Sequence, residues 1–168
     1  MPTTHTFIQS ATAPSGNVAT FDFTSIPQTY QDLVIIFNAR NNTNNYGGFF
    51  ITPNGSTFGS NVTAKRFGIY GTTNNYSTST EAVWNIDPAT SYFANGRIYI
   101  ANYASTTSNK SALLMGGQTG TGTDLVQHFT AWRWAQTAAI TSLKLGTDSG
   151  TDIFKRYSSA YLYGISKS

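Results

Sequence analysis

The constraint that weighs most on what this chain can fold into is a periodicity. Apolar residues recur at every second position or in short runs, and no window sustains the i, i+3, i+4, i+7 pattern of an amphipathic helix. Clusters of Gly, Pro and Asn punctuate these runs every 8–12 residues or so, the spacing of sandwiches and barrels. Strands are therefore predicted over 7–11, 18–23, 33–37, 49–52, 65–70, 97–103, 111–115, 127–134, 142–145 and 159–165, with 82–86 short and ambiguous. The reading is all-β: a single antiparallel β-sandwich of about ten strands with little or no helix. A short N-terminal arm, 1–6, precedes one sandwich domain over 7–168, and no repeat or linker divides it.

Within that pattern some segments carry more information than others. Leu33-Val34-Ile35-Ile36-Phe37 is apolar on both faces, so the set Val34 and Ile36 needs cover beyond the sandwich core, from the opposite sheet or from another subunit. Pro53-Asn54-Gly55 favours a turn, because Asn-Gly supplies positive φ cheaply, and a hairpin joining 49–52 to 65–70 is expected there. The stretches 71–80 and 116–122 read as polar or Gly/Thr-rich loops. Trp132 and Trp134 share one face of a strand, the arrangement of a core pair. Gly164, between Tyr163 and Ile165, leaves a gap that a neighbouring ring or backbone can fill.

Charge and chemistry narrow the function. Charged residues are 10% of the chain, against roughly 25% in an ordinary soluble domain, while aromatics are 14%. Thr, Ser, Asn and Gly do the covering instead, a surface that costs little to desolvate in a contact. The net charge of +3 comes from ten scattered cations against seven acids, without the clustered basic face of a nucleic-acid binder. With zero cysteines there is no disulfide or thiolate chemistry. The N-terminus lacks a signal peptide's basic start and apolar run, and no stretch reaches the length of a membrane span, so no membrane partner is expected.

No catalytic, metal or cofactor residues are assigned. His5 and His128 have no partners at ligand spacing, and His128 reads as a structural residue. Asp148 and Asp152 lack the closing glutamate of a calcium loop and read as a turn. The single glutamate, Glu81, makes a glycosidase pair improbable, and the glycines at 116–120 precede no lysine and open no helix. The chain is therefore not expected to be an enzyme or to need a cofactor.

Four segments, in order along most of the chain, carry a resemblance: Ser25-Ile26-Pro27-Gln28-Thr29-Tyr30-Gln31-Asp32-Leu33, Gly96-Arg97-Ile98-Tyr99-Ile100-Ala101-Asn102-Tyr103, Trp134-Ala135-Gln136-Thr137-Ala138-Ala139-Ile140-Thr141-Ser142-Leu143 and Ala160-Tyr161-Leu162-Tyr163-Gly164-Ile165. Together they resemble the small, jelly-roll-like virion structural proteins of environmental and cyanobacterial tailed phages. The resemblance implies a capsid decoration (cement) subunit on the virion surface, assembled in the host cytoplasm, with the major capsid protein as partner and no catalysis. It also implies a homo-oligomer, a trimer in preference to a dimer. Candidate subunit or capsid contacts are Pro2, Thr3 and Thr4 of the arm with Val34 and Ile36. The alternative is a tail-fibre or tail-tip module binding a cell-surface glycan through the loop aromatics Tyr46, Tyr76 and Trp84. The first strand, predicted from Phe7, leaves no shaft before it, which favours decoration.

Overall fold

The computed structural model describes residues 4–15, 17–40, 49–57, 60–70, 73–79, 93–119, 125–147 and 154–166. Among them the secondary structure is entirely strand: β1 (His5–Thr12), β2 (Thr20–Phe23), β3 (Asp32–Ala39), β4 (Phe49–Pro53), β5 (Val62–Tyr70), β6 (Thr73–Ser79), β7 (Ala94–Ala101), β8 (Lys110–Thr119), β9 (Leu125–Trp134), β10 (Leu143–Thr147) and β11 (Ser159–Ile165). Eight of them form one sheet in the order β1-β11-β3-β7-β8-β9-β5-β6, and β2-β10-β4 form a second. Every neighbouring pair is antiparallel.

The two sheets face each other through one core. Period-two alternation turns Leu33, Ile35 and Phe37 of β3, Ile98 and Ile100 of β7, Leu114 of β8, Trp132 and Trp134 of β9 and Leu162 of β11 inward. Phe21 and Phe23 of β2, Ile51 of β4 and Leu143 and Leu145 of β10 meet them from the small sheet. The tryptophan pair is core, as its spacing predicts.

Aromatic rings fit over glycines at two places. A Cβ on Gly96 would lie 2.5 Å from Phe37 Cζ, and one on Gly164 would lie 2.3 Å from the ring of Tyr30. Each gap in a strand is thus a seat for a ring, which is the role predicted for Gly164. Nearby, the Tyr103 hydroxyl donates to the Pro27 carbonyl, so Tyr103 ties the 25–33 connection to the β7–β8 turn while Tyr30 packs on the strand.

Several expectations are corrected. Asn54 and Gly55 do adopt positive φ, 51° and 63°, and Ser56 N–H donates to the Pro53 carbonyl to close the turn. The turn makes no hairpin, however, because β4 pairs with β10 in the small sheet while β5 pairs with β6 and β9 in the large one. Asn54 explains the divergence: Oδ1 accepts from Thr141 N–H at 2.8 Å and Ser142 N–H at 3.2 Å, and Nδ2 donates to the Ala139 carbonyl at 2.8 Å. The side chain fastens the turn to the 139–142 segment entering β10. The polar stretch 73–79 is strand β6 at the sheet edge, where a polar sequence costs nothing because one edge and one face meet solvent. Gly116 to Thr119 extend β8, paired with 125–128 of β9. His5 and Thr6, assigned to an arm, pair with Ile165 and Gly164 as part of β1.

Candidate functional site

The face of the eight-stranded sheet turned away from the small sheet carries the feature that sets this surface apart. Eight large apolar side chains are exposed among the described residues: Phe7, Ile36, Tyr76, Tyr99, Leu113, Phe129, Tyr157 and Tyr161. All but Tyr157 lie on this one face. Register aligns them into rungs across the strands: Phe7, Tyr163, Val34, Tyr99 and Leu113 form one, and Tyr161, Ile36, Arg97, Met115, Phe129, Phe67 and Tyr76 form the next. The first rung includes an edge-to-face contact of Phe7 on Tyr163 at 5.9 Å, and the second ends with Phe67 and Tyr76 at 5.1 Å.

Charge on this face is one-sided. Arg97, Lys65 and Arg133 project from it, exposed, and none has a carboxylate partner among the described residues. Its one acid among the described residues, Asp32, is 7% exposed and already engaged. Oδ2 accepts from the Tyr99 hydroxyl at 2.5 Å and Oδ1 from Asn102 N–H at 2.8 Å. That hydrogen bond to Asp32, with partial burial and the carboxylate's charge, raises the Tyr99 pKa above its ordinary 10.

Two open troughs cross the face. The larger, about 430 Å³, is lined by Asn95, Arg97, Met115, Gly117, Gln127 and Phe129, and the absent side chain of Gly117 lowers its floor. Arg97 Nη2 lies 3.8 Å from Met115 Sδ. The second, about 380 Å³, lies among Thr63, Lys65, Ala131 and Arg133. Behind the sheet, on the inner face, His128 and Thr130 are fully buried and Gln118 nearly so, close to Arg66. Burial, reinforced by the Arg66 charge, lowers the His128 pKa from 6.5 to about 4, so the ring is neutral at pH 7. No group of three or more His, Cys, Asp or Glu able to hold a metal occurs among the described residues.

The predicted site residues distribute unevenly. Ile36 is 48% exposed on the outer face. Val34 shares that face but is only 7% exposed, because Tyr163 and Tyr99 flank it in register. Thr4 is exposed beside β1. Tyr76 is exposed but sits on strand β6 in the apolar rung, which corrects its placement in a loop. Pro2, Thr3, Tyr46 and Trp84, along with Asp148 and Asp152, lie outside the described residues. Phe7, Arg97, Tyr99, Leu113, Phe129 and Tyr161 were not singled out by sequence. The signal was present: wherever Ile98 and Ile100 or Ala112 and Leu114 point inward, Tyr99 and Leu113 must point out. Comparison with family models, curated proteins and solved structures gives no match.

Proposed function

We propose that this chain is a non-catalytic assembly subunit, a virion decoration protein that seats the outer face of its eight-stranded sheet on the protein shell of the particle. One observation carries the docking part of this reading: seven of the eight exposed large apolar side chains are gathered on that face. Contiguous exposed apolar surface is costly in water and marks interaction sites, whereas singly scattered apolar residues mean nothing. The four segments that resemble phage virion proteins supply the setting, and the charge-poor surface suits permanent contact.

A shell partner accounts for this face better than a second copy does. Two copies placed face to face would bring Arg97, Lys65 and Arg133 of both into one interface with, among the described residues, only the engaged Asp32 to offset them, and like charges in an interface cost several kcal/mol. The homotrimer implied by the resemblance would then use other surfaces. The glycan-binding alternative rested on Tyr46, Tyr76 and Trp84. Of these Tyr76 is the one described, and its ring packs on Phe67 within the apolar rung, so it argues for the same docking face.

The test is co-sedimentation of the purified protein with capsids lacking it. Leu113→Glu, a charge at the middle of the face, should abolish binding while leaving the melting temperature within a few degrees. Undiminished capsid binding by a folded Leu113→Glu variant would overturn the proposal.

A further inference from the structure

We propose that the trough at Arg97 is an anchor pocket for a carboxylate side chain on an extended acidic segment of the docking partner, an inference that rests on the outer face being the docking surface. Three features support it. First, the Arg97 guanidinium is exposed and, among the described residues, has no carboxylate partner and one hydrogen bond, to the Met115 sulfur, which leaves donors for a carboxylate fork. Second, the floor at Gly117 lets a main chain approach closely: a Cβ there would already be 3.0 Å from the Val126 carbonyl and would fill the trough. Asn95 and Gln127 on either side of that floor offer amide groups that pair with peptide groups, while Phe129 and Met115 form an apolar wall. Third, the volume of about 430 Å³ exceeds one side chain and suits a short segment.

The second trough extends the same logic. Register separates Lys65 from Arg97 by three strand spacings and one two-residue step, which places their Cα atoms roughly 16 Å apart on strand dimensions. An extended segment advances about 13 Å in four residues, the even spacing that keeps two side chains on one face, and the long Arg97 and Lys65 side chains close the remainder. The partner that fits therefore carries two carboxylates four residues apart with an apolar residue midway between them on the same face, the inverse of this face in charge and its match in hydropathy. An acidic saccharide would satisfy Arg97 but leaves the surrounding apolar rungs uncovered.

The probe is a fluorescein-labelled peptide with two glutamates four residues apart and Val or Leu between, compared by anisotropy with its glutamine twin and with an oligoglucuronate. The acidic peptide should bind at least tenfold tighter than the twin and weaken with salt. Arg97→Gln should erase that preference, while Lys144→Gln, on the small sheet beside Asp22, leaves it intact. Equal binding of the two peptides, binding by neither, or a preference that survives Arg97→Gln overturns the anchor pocket. Binding of the oligoglucuronate alone also overturns it and assigns the trough to an acidic sugar. If the peptide preference fails while Leu113→Glu still abolishes capsid binding, the anchor falls and the docking face stands; if capsid binding survives Leu113→Glu, the docking face itself falls.

Discussion

The ring of Tyr30 lies over Gly164 so closely that a Cβ on the glycine would sit 2.3 Å from Tyr30 Cγ and Cδ2. Ring and gap are one packing unit, formed by residues 134 positions apart in sequence, and the unit fixes how the 25–31 connection caps β11. Gly164→Ala should therefore cost about 3 kcal/mol by overpacking, and Tyr30→Ala about 2 kcal/mol by loss of contact. In the double variant the clash has no partner, so the combined loss should fall short of the sum by at least about 1 kcal/mol. Urea unfolding of the four proteins measures this, and additive losses would refute the pairing.

Adjacent residues of β3 should respond in opposite ways to the same charge. Ile35 is wholly buried in the core, so Ile35→Lys places an ammonium beside Ile98 and Leu162 and should unfold the domain or cost at least about 4 kcal/mol. Ile36, on the outer face, should tolerate lysine with a loss under about 1 kcal/mol. Thermal melts of both variants decide it.

His128 makes stability depend on pH. Its folded pKa, about 4, lies below the unfolded value near 6.5, so between those values the unfolded chain binds the extra proton. This contribution is fully present above pH 6.5 and is lost as pH falls toward 4, to a total of up to about 3 kcal/mol. His128→Gln should flatten that part of the profile. Urea midpoints from pH 7.5 to 4 for both proteins test it; parallel curves would show that burial does not hold the ring neutral.

Asn54 combines a positive φ with the bonds that send β4 away from β5. Asn54→Ala loses the bonds and strains the backbone, and should cost about 2–4 kcal/mol. Asn54→Gly loses the same bonds without the strain and should be about 1 kcal/mol milder. Chemical denaturation ranks the two, and equal losses would remove the backbone contribution.

Alternation along single strands was legible without any structure. It gave the inward set Ile98 and Ile100, the tryptophan pair and the doubly apolar β3, because a side chain's face in a strand depends only on its position parity. The glycine gap at 164 was legible for the same local reason. The sequence likewise contained the outward residues Tyr99, Leu113 and Phe129, yet gave no cue that they align, since alignment is a matter of register between strands. The loop assigned to 71–80 failed over 73–79 because a polar strand at a sheet edge has the composition of a loop.

By itself, then, the sequence determined the all-strand class and the absence of thiol chemistry, both of which follow from residue type and local period. Partner choice between strands was decided only in three dimensions. Asn54 bonds across 85 to 88 positions to redirect a turn that is locally a hairpin. Lys110 is completely buried, its ammonium held by the Ser108 and Thr137 carbonyls at 2.7 and 3.1 Å and its pKa lowered by that burial, although nothing local marks a lysine for the interior. The apolar outer face and the trough at Arg97 likewise exist only because neighbouring strands of the large sheet lie side by side. Their physical cause is long-range pairing, whose energy depends on neighbours that a local pattern does not contain.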